Sequence, residues 1–100
     1  MKFGLKESDL LFLQENLIQP LKGQGFKVYV FGSRATGKNH PFSDIDILLE
    51  GNVSSDKDII IIQIKELFEE SNFPYKIDLV KSENLAQSYR PSVMKDRVEV

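Results

Sequence analysis

The sequence predicts an α+β fold, or α/β layer, built on a small mixed β-sheet with helices packed on one face. Three observations carry this expectation. Short strand-like runs recur at 27–31, 43–49 and 75–80, each with apolar residues in a strand's alternation or in a β-branched and aromatic block. Apolar residues at helical spacing fill the stretches that begin near Glu7 and Ser55. The resulting order of helix, strand, glycine loop, strand, helix, strand, helix lets the helices cover one sheet face and leave the other open.

The first helix is expected from about Glu7, where Leu10, Leu11, Leu13, Leu17, Ile18 and Leu21 recur at helical intervals. Pro20 lies close to its end, and Gly23 and Gly25 close the segment. Lys27-Val28-Tyr29-Val30-Phe31 then reads as a strand between Gly25 and Gly32, and Gly32-Ser33 as a turn into a short helix over Arg34-Ala35-Thr36. After ten intervening residues beyond Ser33 comes Asp44-Ile45-Asp46, inside the strand at 43–49. A period of two places Asp44 and Asp46 on one face and Ile45, Ile47 and Leu49 on the other.

From Ser55 the run Ser-Asp-Lys-Asp reads as a capping box that introduces Ile59, Ile60, Ile62, Ile64, Leu67 and Phe68. The charged pairs Lys65-Glu66 and Glu69-Glu70 favour helix over strand for this isoleucine-rich stretch. Tyr75–Val80 supplies a third strand, with Ile77 and Leu79 on one face and Lys76, Asp78 and Val80 on the other. Beyond it, Leu85, Ala86, Tyr89, Val93 and Met94 suggest one or two short helical turns interrupted at Arg90-Pro91. Val98-Glu99-Val100 alternates like a stub of edge strand.

The polar residues of this scaffold point to a nucleoside-triphosphate site. Gly32, with no Cβ, lets backbone amides approach a ligand, and Ser33 adds a hydroxyl at the start of a helix, where phosphate is attracted. Asp44 and Asp46, side by side, repel each other unless a cation is shared between them. Oxygen-only ligands suit Mg2+, which uses one or two carboxylates together with substrate phosphates. If the third strand lies beside the second, Asp78 completes a triad.

Taken singly, each feature has a plainer reading. Gly-Ser is a common turn, Asp-x-Asp is often a solvated strand face, and Asp78 alone would be an exposed residue on a half-buried sheet. Their conjunction at strand ends, in an order that can converge, is what carries the site. Arg34 can reach the triphosphate or stay solvated at the helix start. Lys76 reads as a surface lysine, and His40, the only histidine, as an ordinary loop residue with no second zinc ligand near it.

Composition narrows the function classes. One hundred residues make a single domain, 1–100, and 41% hydrophobic with 28% charged residues is a globular balance, so a small core is expected. A formal net charge of −2 argues against an extended nucleic-acid surface and hence against a template-directed polymerase, leaving room for a local basic patch. No apolar run approaches membrane-spanning length, so no membrane association is expected. Without cysteine there is no disulfide framework, and the cytoplasm is the expected compartment.

Gly32-Ser33-Arg34-Ala35-Thr36-Gly37, the loop, Ser43-Asp44-Ile45-Asp46-Ile47-Leu48-Leu49 and then Lys76-Ile77-Asp78-Leu79-Val80 resemble the nucleotidyltransferase superfamily of DNA polymerase β type. More narrowly, they resemble the minimal nucleotidyltransferases, the MNT antitoxins paired with HEPN-domain proteins. The resemblance covers nearly the whole chain. It implies the polymerase β-like nucleotidyltransferase fold, with Gly32 and Ser33 at the triphosphate, Arg34 a further nucleotide-binding candidate beside them, and Asp44, Asp46 and Asp78 as the catalytic, metal-binding carboxylates. It further implies two Mg2+ ions, ATP as substrate, and Asp78 helping to deprotonate the attacking hydroxyl.

Three functions follow as expectations. The first is Mg-dependent transfer of AMP from ATP to a hydroxyl of a protein partner, a tyrosine of a HEPN toxin, by an antitoxin. The second is nucleotidyl transfer to a small molecule or RNA. The third is a non-catalytic module that neutralises a HEPN partner by complex formation. Larger relatives attach a helical domain that grips base and acceptor, whereas here about twenty residues follow Asp78. The missing surface is therefore expected from a partner or a second copy, as a hetero- or homo-oligomer.

Overall fold

A computed structural model of the chain describes residues 2–51 and 58–100. Ser55, Asp56 and Lys57 of the expected capping box lie outside the described residues. A helical run opens the fold as α1 (Glu7–Leu13), widens to a π-helical turn over Gln14–Ile18 and continues as α2 (Gln19–Gly23). The widened turn ends two positions before Pro20, whose ring and missing N–H are incompatible with regular α-helical bonding to the preceding turn. Next come β1 (Lys27–Phe31), the four-residue α3 (Ser33–Thr36), β2 (Ile45–Glu50), α4 (Asp58–Glu70), β3 (Ile77–Lys81), α5 (Arg90–Asp96) and β4 (Val98–Glu99).

The four strands form one mixed sheet in the order β3-β2-β1-β4. β1 is antiparallel to both β2 and β4, whereas β2 and β3 are parallel. A parallel pair needs a long crossover, which contains α4. The alternation expected in β2 is realised: Ile45, Ile47 and Leu49 are buried with Val28 and Val30 against Leu13, Leu17 and Leu21 of the first helical run. From α4, Ile61, Ile64 and Phe68 complete this core.

Two helices differ from the expectation. On α4 the buried stripe is Ile61, Ile64 and Phe68, while Ile59 and Ile62 are 59% and 56% exposed. At 100° per residue, positions 61, 64 and 68 share a face that 59 and 62 do not, so in a nearly continuous isoleucine run the phase is set by the sheet and not by composition. Leu11 on α1 is likewise exposed.

α5 starts at Arg90 where an interruption was expected. Pro91 lies in its first turn, where the missing N–H costs nothing and the fixed φ fits a helix. It also packs on the face opposite α4: Val93 and Leu85 lie against Tyr29, Phe31 and Leu48. Arg90 donates to the Ser82 carbonyl at 2.8 Å, and Arg97, just past α5, pairs with Glu50 and stacks 4.1 Å from the Tyr29 ring. The open face of the sheet is thus partly walled by α5, next to the carboxylates.

Candidate active site

β1 delivers the chain to Gly32, whose φ of 75° and ψ of −155° belong to a region that residues with a Cβ avoid. A Cβ there would overlap Asp46 Oδ2 and stand 3.2 Å from Asp46 Cγ. The glycine is therefore required both by the turn and by the closeness of a carboxylate. Ser33 opens α3, which ends at Gly37 in the left-handed region. The Thr36 hydroxyl lies within weak hydrogen-bonding distance of the Gly32 and Ser33 carbonyls, 3.4 and 3.3 Å away.

The loop returns through a turn in which the His40 amide donates to Ser43 Oγ at 2.7 Å and the Ser43 amide donates to the His40 carbonyl at 3.1 Å. Asp44 follows, exposed, immediately before β2. Asp46 lies within β2, half-buried, in register with Phe31 of β1 on one side and Asp78 of β3 on the other. Asp78 is exposed. The parallel pairing thus brings together two acids 32 positions apart in the chain.

Burial, then the Asp78 charge, then the Asp44 charge push the Asp46 carboxyl above its ordinary value of 3.8. Among the described residues no three His, Cys, Asp or Glu side chains converge tightly enough to hold a metal ion by themselves. A hard divalent cation nevertheless fits this donor set. Mg2+ takes one or two carboxylates and completes its shell with phosphate oxygens and water, and a cation held here would offset the part of the Asp46 shift that comes from Asp78 and Asp44.

The structure therefore brings Gly32, Asp44, Asp46 and Asp78 to one end of the sheet's open face, with Ser33 next in the chain. Arg34 follows neither of its two readings, being buried away from both solvent and the open face. It is 2% exposed, its Nε and Nη2 donate to the Ser43 carbonyl at 3.0 and 2.8 Å, and its Nη1 donates to the Phe3 carbonyl at 2.8 Å. Its guanidinium also stacks on the Tyr75 ring at 4.5 Å. A side chain committed to these contacts is not available to a triphosphate on the open face. Lys76 is exposed, as expected.

One feature was not anticipated from sequence: a groove of about 360 Å3 that runs from Gly32 and Asp78 to α5. Phe31, Val80, Leu85, Tyr89 and Val93 supply its apolar wall. Its sequence signal was the pair Phe31 and Val80, each on the face that carries an acid in the neighbouring strand, but the far wall depends on where α5 folds back. Among the described residues no helix is long and apolar enough to cross a membrane.

Known proteins share this fold. Residues 13–100 match the family model of the nucleotidyltransferase domain. The chain is 28% identical over 89 residues to the probable protein adenylyltransferase MntA of Haemophilus influenzae, covering 89% of this chain and 76% of that protein. A solved minimal nucleotidyltransferase superposes with a TM-score of 0.62 at 21% identity, covering 100% of this chain and 97% of the other. A toxin–antitoxin crystal structure with AMP-PNP superposes with a TM-score of 0.60 at 22% identity, covering 95% and 72% respectively. With a family match over most of its length and the carboxylates gathered beside the Gly-Ser turn, the chain belongs to the nucleotidyltransferase domain family.

Proposed function

We propose that the chain transfers AMP from ATP, with Mg2+, to a hydroxyl group of a protein partner, and that it acts in this way as the antitoxin of a toxin–antitoxin pair. The observation that carries the chemistry is the register of Asp46 with Asp78 beside Gly32-Ser33, which sets a glycine turn and two acidic groups side by side. The protein acceptor is supported by the relative named a protein adenylyltransferase, and the antitoxin role by the likeness to a toxin–antitoxin structure. A tyrosine of a HEPN-domain toxin is the acceptor that the family resemblance suggests.

In this reading the Gly32 and Ser33 amides and the Ser33 hydroxyl hold the triphosphate, and Asp44 and Asp46 hold Mg2+ with it. Asp78 would help hold the cation and would take the proton from the acceptor hydroxyl. The hydroxyl oxygen forms a bond to the α-phosphorus, the bond to the bridging oxygen breaks, and pyrophosphate leaves with that electron pair. When bound, Mg2+ polarises the phosphate and neutralises the charge that develops in this in-line displacement. The apolar groove beside Asp78 receives the side chain that carries the acceptor hydroxyl.

Asp78→Asn separates binding from chemistry. Loss of a general base slows transfer by about 10²–10⁴-fold. Calorimetry should find Mg-ATP affinity within a few-fold of native, because Asp44, Asp46 and Ser33 remain. A variant that loses nucleotide binding and transfer together would assign Asp78 to the nucleotide's metal and remove it as the base. Pyrophosphate release with a small molecule or RNA, and not with any protein, would overturn the protein-acceptor reading.

A further inference from the structure

The buried guanidinium of Arg34 has no role in the reading above. It is a cation almost wholly removed from water, and among the described residues no carboxylate pairs with it. Burying a charge is costly unless its hydrogen-bonding and electrostatic demands are met. Here two backbone carbonyls and an aromatic face meet them.

The identity of these partners gives the arrangement its consequence. Ser43, whose carbonyl accepts from both Nε and Nη2, immediately precedes Asp44. Tyr75 precedes β3, and the next carbonyl, that of Lys76, accepts the Ile45 amide at 2.9 Å, fastening the start of β2 to that of β3. Arg34 itself is one residue beyond Ser33. A single side chain therefore ties the Gly32-Ser33 turn to the first peptide of the Asp44–Asp46 segment and to the entry of the Asp78 strand. Phe3, the remaining partner, has a φ of 57°, a strained conformation for a residue with a Cβ, and its carbonyl accepts the third bond.

We propose that Arg34 is a positioning residue: through the Ser43 carbonyl it fixes the separation between the phosphate-binding turn and the Asp44–Asp46 carboxylates. The proposal rests on the reading that these carboxylates hold a divalent cation with the nucleotide. An arginine is needed because its planar fork grips one carbonyl with two donors in a fixed direction. A lysine supplies a charge but no fork.

The test is binding of Mn2+ in the presence of a non-hydrolysable ATP analogue, followed by electron paramagnetic resonance for the native chain, Arg34→Lys and Tyr75→Leu. Circular-dichroism melts establish that each variant is folded at the temperature used. Arg34→Lys should weaken Mn2+ binding by about 10–100-fold, the range seen when a group that orients a metal ligand is lost. Its kcat for transfer should fall while KM for ATP changes less.

Tyr75→Leu leaves the fork and removes only the ring, so a smaller loss in the same direction is expected. It decides the matter should Arg34→Lys fail to fold. A folded Arg34→Lys, or in its place Tyr75→Leu, with native Mn2+ affinity and kcat and only a lower melting temperature would overturn the proposal, leaving Arg34 as a stabilising residue. No Mn2+ binding by the native chain would overturn the carboxylate reading and this proposal with it, whereas native binding that Arg34→Lys leaves unchanged overturns this proposal alone.

Discussion

Asp46→Asn should abolish nucleotide transfer and, in the absence of divalent cations, make the fold more stable at neutral pH. Both effects come from the same surroundings. Asp46 is the half-buried member of the acidic group, flanked in register by Asp78 and raised above 3.8 by burial, by Asp78 and by Asp44. In the proposed reaction Asp46 helps hold the cation that concentrates positive charge at the reacting phosphate, and losing it removes several kcal/mol of transition-state stabilisation, a loss of about 10³-fold or more in rate.

The gain in stability has a definite pH dependence. Below 3.8 the carboxyl is protonated in folded and unfolded chains alike, and asparagine confers no advantage. As pH rises from there through the raised folded value, the unfolded chain releases its proton more readily than the folded one, so the native protein loses stability. The advantage of Asp46→Asn is therefore absent in acid and complete above the folded value. Melts in EDTA across this range check it. Adding Mg2+ and ATP should reverse the order, because ligand bound to the folded state stabilises only the chain that can bind it. A variant less stable than native in EDTA at pH 7 would instead make Asp46 a structural residue.

Gly32→Ala should damage both fold and site. A methyl at φ 75° and ψ −155° sits in a region open essentially to glycine, and the Cβ would overlap the Asp46 carboxylate. The backbone strain is of order 1–3 kcal/mol, which lowers the melting temperature by roughly 5–15 °C in a domain of this size. Asp46 must also move aside, and in the proposed reaction a misplacement of about 1 Å costs on the order of 10²-fold in rate. A variant that melts like native and transfers at the native rate would show that the turn and the carboxylate are not coupled as described.

Much of this arrangement could be read from the chain because its signals are local. β1 is a β-branched and aromatic block between two glycines, and the faces of β2 follow from alternation alone. The residues gathered at the end of the open face were found for the same reason, since Gly-Ser and Asp-x-Asp each lie within a few positions. What could not be read depends on distant segments. The pairing of Asp46 with Asp78 is set by the crossover through α4.

From its place beside Gly-Ser, Arg34 reads either as a phosphate contact or as a solvated residue at the helix start. Its burial is decided by carbonyls 9 and 31 positions away, at Ser43 and Phe3. The isoleucine run of α4 contains candidates for almost any helical phase, so only packing selects Ile61, Ile64 and Phe68. α5 reaches the carboxylate face through contacts with Tyr29 and Leu48, and neighbouring sequence carries no sign of that choice.

The most direct test mixes the purified chain with Mg2+, ATP labelled at the α-phosphate and a lysate of its source cells, beside the Asp44→Asn/Asp46→Asn variant. Label transferred to a protein band by the native chain and not by the variant is the expected result, and mass spectrometry of that band then identifies the modified side chain. Absence of any label that depends on the two carboxylates, on protein, RNA or small molecules and with each of the four nucleotides, would contradict nucleotidyl transfer by this chain and leave neutralisation by binding as the reading to pursue.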